Sequence, residues 1–153
     1  MNTTTVITTP LGNLKLSATE DALITCQWTD ENLLVTPSPL LKVATEQLNA
    51  YFHGKLIHFD VPLAPKGTDF QQSVWHALLK IPYGETCSYR DIATLILNPK
   101  AVRAVGSANA KNPLCVFIPC HRVINASGKL GGYSGGIAHK NELLALEGVI
   151  FDL

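Results

Sequence analysis

The sequence predicts an α+β fold in which a small α/β unit precedes a mostly helical part containing a helix-turn-helix. Three observations predict it. Short apolar runs separated by turn residues fill the first thirty positions. The apolar period changes to that of a helix from Leu40. Two capping boxes, Thr68 with Gln71 and Ser88 with Asp91, open helices in the second half. The 153 residues are 46% hydrophobic and 16% charged, which argues against disorder. A chain of this size buries roughly two-thirds of its unfolded surface and needs no staples.

Val6 to Thr9 and Leu14 to Ala18 read as strands, joined by the turn residues Pro10-Leu11-Gly12-Asn13. Leu23 to Trp28 is a third strand, followed by a polar connection from Thr29 to Pro39. Leu40, Ala44, Leu48, Tyr51 and Phe52 lie on one helical face that Gly54 closes, and Leu56 to Val61 is expected to be one more strand. Pro62 to Gly67 reads as a linker, dividing an N-terminal α+β domain, 1–65, from a C-terminal domain, 68–153.

In the second part, Phe70, Val74, Ala77, Leu78 and Ile81 recur at helical spacing up to Pro82. Ser88 opens a short helix to about Leu97. Asn98-Pro99 is read as an N-cap with proline at the first helical position, so a third helix follows closely and the pair resembles a helix-turn-helix. Leu114 to Ile118 is an apolar run, expected as a buried strand. Asn125 to Gly136 is loop. Ala138 to Glu147 is a last helix, with Gly148 just past its end.

Net charge is zero, yet no acidic residue stands between Asp91 and Glu142. That stretch holds Lys100, Arg103, Lys111, Arg122, Lys129 and Lys140, and a segment of one sign points to a polyanionic partner. No apolar run approaches the ~20 residues of a membrane span. The uncharged, Thr-rich start lacks the basic region of a secretory signal, so a cytoplasmic protein is expected. Cys26, Cys87, Cys115 and Cys120 form no C-x-x-C pair, and free thiols are expected rather than disulfides or a structural zinc site.

Four features bear on chemistry. The third helix carries Arg103 among Gly106, Ser107 and Ala110, opposite a core face of Ala101, Val105 and Ala108. One long cation among small residues suits insertion into a shallow groove, or close packing on another helix. Cys120 follows a buried apolar run and precedes His121 and Arg122, the setting of a low-pKa thiol or of a structural cysteine. A direct bond between the adjacent Cys120 and His121 would need a tight turn, and one bridging water would serve instead. Glu147 stands in a last helical turn, where the dipole disfavours a carboxylate; it either orients His121 or is a surface residue. Leu130 to Gly136 contains four glycines and is a binding loop or a turn.

Pro119-Cys120-His121-Arg122-Val123, preceded by Asn112-Pro113 and followed by Tyr133-Ser134-Gly135-Gly136, closely resembles the O6-alkylguanine-DNA alkyltransferase family, the methylated-DNA–protein-cysteine methyltransferases. The resemblance runs from about Thr68 to Gly148 and more loosely over the N-terminal part, where it implies a ribonuclease H-like unit. It implies that Cys120 accepts an alkyl group from O6-alkylguanine, and from O4-alkylthymine, once per molecule. His121 would act through water as base, polarised by Glu147, and Asn112 would hold the turn before the cysteine segment. Tyr89 would rotate the 3′ phosphate and serve the leaving base as proton donor. Arg103 would fill the stack when the base flips out. The Val123 and Cys120 carbonyls and the Ser134 amide would hold the base, with Tyr133 beside it and Gly135 leaving room for larger alkyl groups. Lys100, Ser107 and Arg122 join the DNA-binding set. The implied partner is double-stranded DNA, gripped in the minor groove by a monomer without cofactor.

Two departures from relatives matter. The first sixty residues offer only Cys26, His53 and His58, so no zinc is expected. The chain starts too late for the cysteine-rich sensor domain of some bacterial relatives, so no regulatory role is expected. Because Cys120 is present, an active transferase is favoured over a damage-binding module, and the acid-free stretch and Arg103 argue against a hydrolase unrelated to DNA.

Overall fold

The structure, a computed structural model, describes residues 2–35, 38–127 and 136–149. The chain divides into two compact units, Met1–Lys66 with Pro113–Phe117, and Gly67–Asn112 with Ile118–Leu153.

The first unit is built on an antiparallel meander of β1 (Thr3–Thr9), β2 (Gly12–Ala18) and β3 (Leu23–Thr29), in that order. Thr9 pairs with Gly12, so Pro10-Leu11 form a two-residue turn. The alternation of β2 sends Leu14, Leu16 and Ala18 inward, where all three are fully buried. Helix α1 (Pro39–Phe52) covers the sheet. Ser38 accepts from Leu41 N at 3.3 Å, Pro39 takes the first helical position, and Leu41, Ala44, Leu48, Tyr51 and Phe52 form the buried face.

Three expectations in this unit are corrected. Leu56 to Val61 is not a strand. Phe59 there packs its ring 5.3 Å from Tyr51 and 4.6 Å from Phe117, so aromatic burial wins over strand pairing. The expected linker is docked instead: Leu23 N donates to Pro62 O at 2.9 Å and Ala64 N to Leu23 O at 2.8 Å. The expected strand Leu114 to Ile118 contracts to one bridge, Leu114 with Cys26, closed by Cys26 N to Pro113 O and Cys115 N to Cys26 O. Val116, buried with φ 75°, turns the backbone out of the extended region there. The span 68–153 is therefore interrupted, since Pro113–Phe117 belongs with the first unit.

The second unit contains α2 (Asp69–Leu78), β4 (Cys87–Ser88), α3 (Tyr89–Leu95), α4 (Val102–Ala110), a 3₁₀ turn (Cys120–Arg122), β5 (Val123–Ile124) and α5 (Ile137–Leu146). Both capping boxes are complete, at Thr68 with Gln71 and at Ser88 with Asp91. Gly67 is required by close packing, because a Cβ there would lie 2.5 Å from the Trp75 ring. Trp75 in turn donates its indole N–H to Ala108 O at 2.9 Å, tying α2 to α4. Helix α4 starts later than Asn98-Pro99 suggested: Ala101 N bonds Asn98 O in a turn, and the helix opens at Val102 with no side-chain cap. β4 and β5 pair in parallel, Cys87 with Val123. No helix among the described residues is long and apolar enough to cross a membrane.

Candidate active site

Cys120 sits where the backbone makes two tight turns in succession. Pro119, at φ −79° and ψ 62°, is the centre of an inverse γ-turn that brings Cys120 N to within 2.7 Å of Ile118 O. The 3₁₀ turn follows at once, with Arg122 N on Pro119 O at 3.0 Å. Two amides brace it. Asn112 donates to Ile118 O at 2.8 Å, and Asn109 of α4 donates to Cys120 O at 3.3 Å. The Cys120 carbonyl also accepts from Val123 N, so it already has two donors. Val123 itself is fully buried.

The turn presents His121 and Arg122 to Glu147, which caps the end of α5. His121 Nε2 and Glu147 Oε2 are 2.8 Å apart. Arg122 donates Nε to Oε1 at 2.8 Å and Nη2 to Oε2 at 2.9 Å, and its Nη1 reaches Ile81 O at 2.7 Å. Gly84 N donates to Glu147 Oε1 at 3.2 Å. Burial pushes the Glu147 carboxyl up, but the hydrogen bonds and charges of His121 and Arg122 outweigh it and hold the group well below the usual carboxylate range. Glu147 is therefore an anion, and the ring nitrogen facing it must donate, which places the His121 proton on Nε2. Burial pushes His121 below its ordinary value; Glu147 opposes, while Arg122 and Lys140 add to the lowering. His121 is thus neutral at pH 7, and its Nδ1 is buried with no hydrogen-bond partner.

Tyr89, at the start of α3, packs on α4, 3.8 Å from where a Cβ on Gly106 would stand. Burial and the charge of Cys120 raise its phenol above the ordinary value. Lys140 stacks its ammonium 5.8 Å from the Tyr89 ring centroid and is fully buried. Burial lowers Lys140 to about 8, against an opposing effect of Cys120.

The structure thus gathers Cys120, His121, Glu147 and Asn112 at one turn, with Tyr89 and Lys140 close enough to feel Cys120. Arg103, Lys100 and Ser107 are exposed on or beside α4, whose Val105 and Ala108 are buried. Arg122 is a correction. Expected among the cations facing DNA, it is buried, and its three nitrogens are committed to Glu147 and Ile81. Tyr133, Ser134 and Gly135 lie outside the described residues. Sequence reasoning missed Lys140 and Asn109. Lys140 shares a helical face with Leu143 and Leu144, and it sits in a first turn where the dipole disfavours a cation; both marks of an unusual lysine are legible in the sequence. Asn109 follows Ala108 on the buried side of α4, an amide in an otherwise apolar face.

Comparison with known proteins fits this geometry. A model of the ribonuclease-like domain of 6-O-methylguanine DNA methyltransferase matches residues 3–65, and a model of the DNA binding domain of the same protein matches residues 69–149. A methylated-DNA–protein-cysteine methyltransferase of Mycobacterium bovis is 61% identical over 113 residues, covering 73% of this chain and 68% of its own. The crystal structure of Mycobacterium tuberculosis O6-methylguanine methyltransferase superposes with a TM-score of 0.87 at 50% identity, covering 96% of this chain and 93% of the other. A crystal structure of Mycobacterium tuberculosis OGT in complex with DNA gives 0.85 at 52% identity, covering 93% and 90%. Because both domain models match in order and the likeness extends over nearly the whole chain at such identity, this chain belongs to the methylated-DNA–protein-cysteine methyltransferase family.

Proposed function

We propose that this chain repairs DNA by moving a methyl or larger alkyl group from O6-alkylguanine, and from O4-alkylthymine, onto Cys120. The observation that carries the assignment to Cys120 is the state of its neighbour. His121 is neutral, its Nε2–H is spent on Glu147, and its Nδ1 lone pair has no partner. A base in that state beside a thiol is ready to take a proton.

The steps follow from these positions. The damaged base leaves the stack at a cost of a few kcal/mol, which Arg103 offsets by filling the gap from the exposed face of α4. The Cys120 S–H proton passes through water to His121 Nδ1, and Glu147 stabilises the resulting imidazolium. The sulfur attacks the alkyl carbon, the bond from that carbon to O6 breaks, and guanine keeps the electron pair. Tyr89, a phenol that is protonated at pH 7, gives guanine its proton. A thioether is the product, so each molecule acts once. Asn112 positions the reactive turn. By the family resemblance the base is assigned to Val123 with Tyr133, Ser134 and Gly135, and the DNA backbone to Lys100 and Ser107. On this reading the second unit, without residues 113–117, carries DNA binding and transfer, the minor groove is the site of approach, and a cytoplasmic monomer needs no cofactor.

Intact mass after incubation with an O6-methylguanine duplex tests it. The protein gains one methyl group, on the peptide containing Cys120, and a second dose of substrate adds nothing. Multiple turnovers, or methyl on another residue, would overturn the assignment.

A further inference from the structure

Glu147 has more donors than a relay to His121 requires. Besides His121 Nε2 it receives two nitrogens of Arg122, at 2.8 and 2.9 Å, and Gly84 N at 3.2 Å. The arginine is anchored at its far side, by Nη1 on Ile81 O at 2.7 Å and by the Tyr83 ring, whose centroid is 5.8 Å from the guanidinium carbon. The side chains of His121 and Glu147 are fully enclosed, and that of Arg122 is 8% exposed. A planar fork on a carboxylate fixes its orientation as well as its charge. An imidazole that shares its carboxylate with a permanent cation also gains less from becoming charged than one with the carboxylate to itself.

The other groups around His121 do not supply this effect in the same way. Lys140 comes from α5 and adds a second positive charge, Cys120 is its neighbour on the turn, and Tyr83 lies behind Arg122. On α5, His139 is half-buried and Glu142 exposed. The titratable residues of α2, Asp69 and His76, are exposed, and that helix turns Val74, Trp75, Ala77 and Leu78 inward.

We infer that Arg122 is a positioning residue for alkyl transfer: its fork aims Glu147 at His121, and its charge, held on the same carboxylate, adds to the burial that already favours the neutral ring. The inference rests on the reading of Cys120 as the acceptor. It separates two roles, geometry and charge, that two substitutions divide. Arg122→Lys keeps the charge and loses the fork. Arg122→Met keeps bulk and loses the charge.

The test is the rate of benzyl transfer from free O6-benzylguanine to the full chain, measured between about pH 5 and 9, the range that brackets histidine titration. In Arg122→Met the acid limb moves to higher pH by about half a unit or more, because His121 is released from a neighbouring cation. In Arg122→Lys the limb stays near its original place while the plateau falls several-fold. If Arg122→Met does not fold, Arg122→Gln, which keeps an amide donor for Glu147, carries the same expectation for the limb. A purely structural arginine would lower both plateaus and move neither limb, and that result overturns the inference. If the wild type takes no benzyl group, its pocket is closed to that size and the same pH profiles are read with an O6-methylguanine duplex; a wild type that takes neither group overturns the function itself, and one that reacts with all limbs superposed removes only the role given to Arg122.

Discussion

Two cysteines in this molecule are equally shut off from solvent, and the first unit holds one and the second unit the other. Cys26 lies in β3, opposite Leu16, with Cys115 bonded to its backbone. Burial, and then the proximity of Cys115, push its thiol well above the ordinary value. Cys120 lies on a turn beside a neutral histidine, with a buried lysine and a tyrosine near enough to respond to its charge. Both are 0% exposed. Burial therefore does not separate the proposed acceptor from a packing residue here. The difference lies in which groups can receive the proton and balance the charge that remains.

The sharpest way to break that comparison is to delete each thiol in turn. Cys120→Ser should abolish transfer while leaving duplex binding largely intact, and Cys26→Ser should leave the extent of transfer at one methyl per molecule. The Cys26 change costs some stability instead, since a hydroxyl replaces a buried thiol in an apolar sheet. Alkylation of both variants by an O6-methylguanine duplex, followed by mass, decides it. Loss of transfer in Cys26→Ser at full folding would erase the distinction.

Glu147 comes next in size. Glu147→Gln keeps the shape but removes the anion that His121 needs once it is charged, so benzyl transfer from O6-benzylguanine should slow by about 10²-fold or more, the scale of general acid–base effects. Arg122 would be left buried without its counter-charge, and removing one partner of a buried pair costs about 3–5 kcal/mol. The melting temperature should therefore fall as well. A normal melting temperature with a normal rate would take Glu147 out of the chemistry.

How much of this was legible in the sequence varies by the range of the interaction. The three strands and the capped helices α1, α2 and α3 follow from local period and local hydrogen bonds, which is why Ser88 and Asp91 marked the start of α3. The start of α4 was misplaced because Asn98-Pro99 satisfies a local capping pattern while the chain spends those residues on the turn after α3. The strand expected at Leu56 to Val61 failed because the fate of Phe59 is set by Tyr51 and Phe117, the second of which is far along the chain. At the site, adjacency pointed to Cys120 and His121, and an awkward place on the helix pointed to Glu147. Arg122 was misread because its neighbours in sequence suggested a basic surface. Its partners, Ile81 and Glu147, are brought to it only by folding.

Arg103 sharpens the contrast between the enclosed site and the exposed helix. Arg103→Ala should reduce repair of a duplex by about tenfold or more, because extrusion of the base is then unassisted. Reaction with free O6-benzylguanine needs no extrusion and should change by less than about twofold on the same argument. Duplex affinity of the wild type should also fall as salt rises, with Lys100 and Arg103 among the residues that displace counterions, and Arg122 not among them. Equal losses on both substrates would make Arg103 structural.

The smallest effect concerns Lys140, where stability and reactivity should move in opposite directions. A lysine wholly buried in the first turn of α5 is placed against both the helix dipole and the desolvation of its charge. Its folded pKa of about 8 lies below its unfolded value of 10.5, so the unfolded chain binds the extra proton between those two values. Stability linked to this group therefore rises as pH climbs from about 8 towards 10.5, and below 8 the folded state carries the full cost of the buried ammonium. Lys140→Met removes that cost and should raise the melting temperature at pH 7. It also removes the cation that responds to Cys120 and holds His121 low, so benzyl transfer at pH 7 should slow a few-fold. In the wild type the same loss should set in as pH rises through about 8, and Lys140→Met should lack that decline. Thermal melts at pH 7, together with the rate from pH 7 to about 9, read both halves. A variant that is less stable and keeps the alkaline decline would show that Lys140 is a packing residue whose charge the site does not use.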